Sequence, residues 1–288
     1  MKRVTRRVIT GLSVVCSVAL ALLRGQLPAL GAGALLHPSR TFARVPVPQD
    51  CQTTNFAGAG VTLEGWRCTA AAPARGTIVY LHGIADNRGS AAGIVKRFLP
   101  RGFDVVAYDS RAHGESSGDA CTYGFFEKQD LRRVIDALGT APVILIGTSL
   151  GAAVALQEAA DDPRIRAVVA AETFSDLRTV ATERAPAFFT EGTIDRAFET
   201  AERDAHFLVD QVQPQESARR ITAPVLVIHG ADDVETAPAH SERVYRALNG
   251  PKQLILVPGA GHNGSLRSEV WTQIEQWIDV VLPTSRRD

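Results

Sequence analysis

Short apolar runs rich in β-branched residues recur along the chain, each closed by a polar or glycine-rich break. Thr77–Leu81, Val105–Tyr108, Val143–Ile146, Ile165–Ala170, Val225–His229 and Leu254–Val257 read as strands covered on both faces, since a strand with one wet face would alternate apolar and polar residues. Between these runs the period changes to that of a helix. Leu131, Val134, Ile135 and Leu138 recur at helical spacing up to a stop at Gly139, and Val270, Ile274, Trp277, Ile278 and Val281 mark a last helix. A further helical stretch follows the polar loop Ala85–Ser90 as far as Leu99, and Leu150–Ala160 is rich in strong helix formers. Alternation of this kind predicts an α/β fold with a mostly parallel sheet flanked by helices. Ahead of it, Pro38–Asp50 is irregular, and Thr53–Phe56 and Val61–Cys68, joined by Ala57-Gly58-Ala59-Gly60, read as a hairpin.

Two stretches depart from the rhythm. About fifty residues, from Phe174 to Ala223, separate two strands and carry Phe188, Phe189, Phe198, Phe207 and Leu208 among many charges. A connection of that length predicts a small helical cap over residues 174–223; the alternative is a structural excursion whose aromatics dock into the main core. At the N-terminus, Lys2, Arg3, Arg6 and Arg7 precede the uncharged apolar run Val8–Leu23, the pattern of a signal peptide or membrane anchor. At about 1.5 Å per residue the run reaches roughly 24 Å, short of a hydrocarbon core of about 30 Å, and Leu27–Leu36 could extend it past Arg24. The chain therefore divides into 1–36 for targeting and a folded domain over 37–288. That domain is expected outside the cytoplasm, secreted after cleavage or held at the membrane if the segment is retained.

Composition narrows the classes. At 288 residues with no linker-like stretch, one domain is expected, and 45% hydrophobic against 22% charged residues is enough to build a sizeable core. Lys plus Arg and Asp plus Glu are both 31, so no basic excess points to nucleic acid. No cluster has metal-ligand spacing and no glycine-rich phosphate loop precedes a helix, so no cofactor or metal is implied. Export permits disulfides, and Cys51 and Cys68 flank the hairpin while Cys121 lies beyond two further strands; a Cys51–Cys68 bond is expected.

The candidate chemistry lies where Val143–Ile146 gives way to Gly147-Thr148-Ser149-Leu150-Gly151. Gly-x-Ser-x-Gly between a strand and a helix is the pattern of a nucleophile elbow, which presents the serine at the tip of a sheet. A serine hydroxyl is a poor nucleophile at neutral pH and needs a base, which in turn needs an acid to fix its tautomer. His262, in the glycine-rich loop after Leu254–Val257, is the candidate base. His113 and His229 read as turn-packing residues, and His240 as the start of a surface helix. For the oxyanion, the backbone N–H of Leu150 stands at a helix N-terminus, and a second N–H is expected from the loop after Thr77–Leu81, at Ile84, where Gly83 permits close approach.

His82-Gly83, the elbow, His229-Gly230-Ala231-Asp232-Asp233 and Gly259-Ala260-Gly261-His262, in this order, resemble the α/β-hydrolase superfamily over nearly everything after about residue 60. The likeness is greatest to exported or membrane-anchored bacterial serine hydrolases of the serine-aminopeptidase-like branch. Tyr108-Asp109-Ser110-Arg111-Ala112-His113-Gly114 resembles the superfamily's turn after its fourth strand, with Ala112 where glycine is more usual. The resemblance places the acid at Asp233 rather than Asp232; members that carry it after the preceding strand would nominate Glu172 or Asp176. It implies a hydrolase that cleaves a small-molecule ester through an acyl-enzyme. A serine peptidase or amidase acting on a peptide substrate is the alternative among enzymes, and a silent binding domain of the same fold is the alternative outside them.

Overall fold

The computed structural model describes residues 25–71, 74–139 and 141–283. Among these, eight strands form one sheet in the order β1-β2-β4-β3-β5-β6-β7-β8. The expected hairpin is present as β1 (Cys51–Ala57) against β2 (Thr62–Cys68), and β2 runs antiparallel to β4 (Phe103–Tyr108). From β4 onward every pairing is parallel, through β3 (Gly76–Leu81), β5 (Val143–Thr148), β6 (Ile165–Ala171), β7 (Val225–Gly230) and β8 (Lys252–Val257). The hairpin register sets Cys51 opposite Cys68 with Cα atoms 3.9 Å apart, and the two are disulfide-bonded; Cys121 is a buried free thiol.

β3 and β7 are buried along their whole length, which explains why their sequences show no polar alternation. The period of two appears instead as a division between two cores. Val79, Leu81, Leu145 and Val227 face one side of the sheet, under α3 (Glu127–Asp136), α4 (Leu150–Ala159) and α8 (Ala239–Ala247). Ile78, Tyr80, Ile146 and Ile228 face the other, under α2 (Ala92–Phe98) and α9 (Ser268–Val281). All ten residues of α4 are buried, as expected for a helix apolar on every side.

The long connection is helical, with α5 (Leu177–Glu183), α6 (Glu191–Ala205), a 3-10 turn at Val209–Gln211 and α7 (Pro214–Ala218). Phe174, Leu177, Phe198 and Phe207 form a third apolar cluster that rests on Ala153 of α4. The helical residues 25–36, called α1, join that cluster through Ala32 and Leu36. The sequence grouped them with the targeting segment; the run Val8–Leu23 lies outside the described residues. Among the described residues no helix is long and apolar enough to cross a membrane.

Candidate active site

The elbow follows from two close approaches. A Cβ on Gly147 would sit 2.4 Å from the Gly151 carbonyl oxygen, and a Cβ on Gly151 would sit 2.1 Å from that of Leu81, so any larger residue would force strand and helix apart. Between them Ser149 takes φ 48° and ψ −112°, a conformation an L-residue adopts only under constraint. The constraint is visible: the Ser149 N–H donates to the Ala171 carbonyl at 2.8 Å, and α4 begins at once with Ala153 N–H on the Ser149 carbonyl at 3.1 Å.

Ser149 Oγ lies 3.2 Å from His262 Nε2, and His262 Nδ1 lies 2.7 Å from Asp233 Oδ2. All three side chains are almost wholly buried. Asp233 Oδ1 accepts from the N–H groups of Glu235 and Thr236, each at 2.9 Å. Burial opposes ionisation of this carboxyl, yet the Thr236 N–H, His262 and the Glu235 N–H together hold it below the usual carboxylate range. An ionised Asp233 fixes the proton of His262 on Nδ1 and leaves Nε2 as the acceptor facing Ser149. Asp232, by contrast, is exposed, and its backbone N–H donates to the Ala260 carbonyl at 2.9 Å, tying the Asp233 loop to the His262 loop.

The His262 loop is held from β6. Glu172, buried and with φ 57°, accepts from Asn263 N–H at 2.6 Å and Ser265 N–H at 3.1 Å, so it bonds the backbone beside His262 instead of its ring. Asp176, the other alternative acid, caps α5 by accepting from Thr179 N–H at 2.8 Å.

His229 does more than pack a turn. Its Nε2 lies 2.8 Å from the Thr236 carbonyl and 3.1 Å from Asp233 Oδ2, while Nδ1 lies 2.6 Å from Ser241 Oγ. A carbonyl can only accept, so Nε2 carries the proton and shares it with Asp233, whose Oδ2 therefore receives two imidazole N–H groups. The spacing His229-Gly-x-x-Asp233 is the sequence signal for this contact. His240 does begin α8, as the sequence suggested, but its ring is wholly buried rather than at the surface. It contacts Ser175 through Nδ1 and Glu183 through Nε2 at 2.8 Å each. That burial was illegible locally because the covering residues come from α5 and the segment just before it.

The candidate oxyanion loop is braced by His82, which donates from Nδ1 to the Gly83 carbonyl at 2.7 Å and accepts the Ser110 N–H at Nε2 at 2.9 Å. Burial pushes this imidazole down and keeps it neutral; burial and His82 push neighbouring His113 down to about 4. A Cβ on Gly83 would lie 3.6 Å from Ser149 Cβ, so the loop passes directly beside the elbow. Neither the Ile84 nor the Leu150 N–H has a hydrogen-bond partner among the described residues. Asp109 and Asp130 pair with Arg88 and Arg111, respectively.

An apolar cavity of about 510 Å³ adjoins this loop at Ile84 and extends between α1 and the inserted helices, past Tyr123, Val180 and Phe198. Arg184 is the charged residue on its wall, and no carboxylate lines it among the described residues. Arg184 also donates to the Glu235 carbonyl at 2.7 Å and to Thr236 Oγ1 at 2.5 Å, joining the end of α5 to the loop that carries Asp233.

Comparison with known proteins agrees with this architecture. The sequence model described as alpha/beta hydrolase fold matches residues 76–214, and that of PhoPQ-activated pathogenicity-related protein matches residues 187–287. The uncharacterised protein YfhR of Escherichia coli (strain K12) is 28% identical over 255 residues, 82% of each chain. The Pyrococcus furiosus esterase Pf2001 superposes with a TM-score of 0.68 at 21% identity, over 85% of this chain and 98% of that one. The Pyrococcus horikoshii acylaminoacyl peptidase superposes with a TM-score of 0.63 at 16% identity, over 83% of this chain and 42% of that one. At these identities the structural likenesses establish a shared fold.

Proposed function

The chain has the α/β-hydrolase fold, and from that premise we propose that it is a serine hydrolase cleaving carboxylic esters through an acyl-enzyme. The observation that carries the reading is the alignment of Ser149 Oγ on His262 Nε2 at 3.2 Å, with Asp233 on the opposite ring nitrogen. In this reading Ser149 Oγ attacks the ester carbonyl while His262 Nε2 takes its proton, and the ionised Asp233 stabilises the resulting imidazolium. The negative charge that develops on the carbonyl oxygen is met by the Ile84 and Leu150 N–H groups, the latter at the positive end of α4. Collapse breaks the bond to the alkoxy oxygen, which leaves with the proton from His262. Water then attacks the acyl-enzyme by the same route, with His262 taking its proton and returning it to Ser149 Oγ.

The strained φ of Ser149 favours a working site over a silent one, because such a conformation persists only where the surroundings enforce it. Esterase and peptidase both occur among the structural likenesses. The ester reading is favoured by the apolar cavity at Ile84, whose wall offers no carboxylate among the described residues to hold a substrate amine. Export is proposed with it, supported by the basic and apolar start of the chain and by the bonded Cys51–Cys68 pair.

Fluorophosphonate labelling with peptide mapping tests the reading. Ser149 is expected to carry the label, and Ser149→Ala should lose it together with about six orders of magnitude in p-nitrophenyl ester turnover. Undiminished labelling in that variant would overturn the assignment. Faster turnover of aminoacyl anilides than of esters would move it to the peptidase alternative.

A further inference from the structure

The apolar cavity has an unusual wall. Leu27, Leu30, Gly31, Ala34 and Leu35 all line it, and their spacing of three, one, three and one places them on one face of α1. The neighbouring stripe, Ala32 and Leu36, is the one buried in the third apolar cluster. The helix is therefore fixed by one stripe and presents the other to the cavity, opposite Ala181 and Val180 of α5. At about 1.5 Å per residue, the stripe from Leu27 to Leu35 runs roughly 12 Å. Ile84, which follows the Gly83 that passes beside Ser149, lines the cavity, and so do Leu30 and Phe188, which are 63% and 69% exposed.

From this geometry we infer that the cavity is an acyl-chain site, and that the substrate is an ester of a medium or long linear aliphatic acid whose chain lies along α1. The inference rests on the ester-hydrolase reading above, since it needs the acyl carbon at Ser149. Ile84 links the cavity to the reacting centre, since it lines the cavity and also carries the proposed oxyanion N–H; an acyl carbonyl held there is placed to send its alkyl carbons into the cavity. The walls suit such a chain because they offer methyl, methylene and aromatic surface without, among the described residues, a carboxylate to desolvate. At roughly 30 Å³ per water-sized group, similar to a methylene, about 510 Å³ holds at most about seventeen such groups, so a twelve-carbon chain fits. Residues 25–36 then belong to the working enzyme, because removing them would strip one side of the chain site and reopen it to water.

The test uses the full chain and p-nitrophenyl esters from acetate to hexadecanoate. Each buried methylene is worth roughly a fourfold gain, so kcat/KM should rise by at least about 100-fold from acetate to dodecanoate and then level off as the cavity fills. Ala181→Trp and Ala34→Trp narrow the cavity from opposite walls; each should lower the dodecanoate-to-acetate ratio of kcat/KM at least about tenfold. Two walls are used so that one misfolded variant leaves the other informative, and thermal unfolding reports folding of each. Binding of dodecanoate to Ser149→Ala, followed by calorimetry, needs no turnover and should be lost when Ala181→Trp is added. If fluorophosphonate labels Ser149 but activity falls steadily beyond short acyl groups and dodecanoate does not bind, the acyl-chain site is overturned and the hydrolase reading stands. No labelling and no ester turnover overturns the hydrolase reading and the acyl-chain site with it.

Discussion

Asp232 and Asp233 are neighbours in sequence and opposites in surroundings. Asp232 is exposed, whereas Asp233 is buried and accepts from two backbone N–H groups and two imidazoles. Under the proposed mechanism Asp233→Asn should lower ester turnover by about 10⁴, through loss of the correct His262 tautomer, while Asp232→Asn stays within a few-fold. Steady-state kinetics on both variants decides this, and the reverse ranking would shift the acid by one residue. A linked effect is expected on stability. The folded carboxyl of Asp233 sits below its unfolded value, so its contribution is fully present above about pH 4 and is lost as pH falls through the folded pKa. The destabilisation caused by Asp233→Asn, about 2 kcal/mol from hydrogen bonds to a charged group, should therefore be complete at pH 7 and smaller at an acid pH below the ordinary carboxylate range. Urea midpoints at the two pH values measure it; a gap that does not change with pH would refute an ionised Asp233 in the fold.

At the scale of elements, the turn after β4 carries an avoidable strain. Ala112 takes φ 59°, which explains why glycine is the more usual residue in the turn that this segment resembles. Asp109 anchors the turn by accepting from Arg88 N–H at 2.7 Å and Glu115 N–H at 2.9 Å, so the backbone is held in place whatever residue stands at 112. Relief of left-handed strain is worth about 1–2 kcal/mol, and glycine's extra freedom in the unfolded chain takes back about 0.5–1 kcal/mol. Ala112→Gly should raise the thermal midpoint by about 1–3 °C in calorimetry. A lowered midpoint would mean that the buried Ala112 methyl contributes more than its strained backbone costs.

Across the whole molecule, three apolar clusters meet at the sheet and at α4. Trp66 lies in one of them and Trp271 and Trp277 pack against it, all on the far side of the sheet from the inserted helices. The inserted helices and α1 contain no tryptophan, but they contribute much of the helix and touch the core through Ala153. If the insertion is an integral part of the fold, urea unfolding followed by tryptophan fluorescence and by far-ultraviolet circular dichroism should give coincident transitions. Helix loss at clearly lower urea than the fluorescence change would show that the insertion and α1 unfold as a separate unit.

The sequence by itself determined the strands, because burial on both faces leaves a continuous apolar run that needs no partner to be recognised. It also determined the elbow, where two glycines bracket a serine for steric reasons local to that turn, and the nomination of His262 from its loop position, whereas the choice of Asp233 over Asp232 came from the family resemblance. Other features were decided only by the tertiary structure. Glu172 is 91 residues from the backbone N–H of Asn263 that it holds, and His240 is 57 residues from Glu183, so neither contact leaves a periodic trace. His229 reads as an apolar-strand terminus until the loop to Thr236 folds back over its ring. The stripe from Leu27 to Leu35 is the sharpest case. An apolar helix face has the same sequence whether it meets lipid, a protein core or the chain of a substrate, because the hydrophobic effect is non-directional. Which of these it meets is set by where the inserted helices place their own apolar side chains.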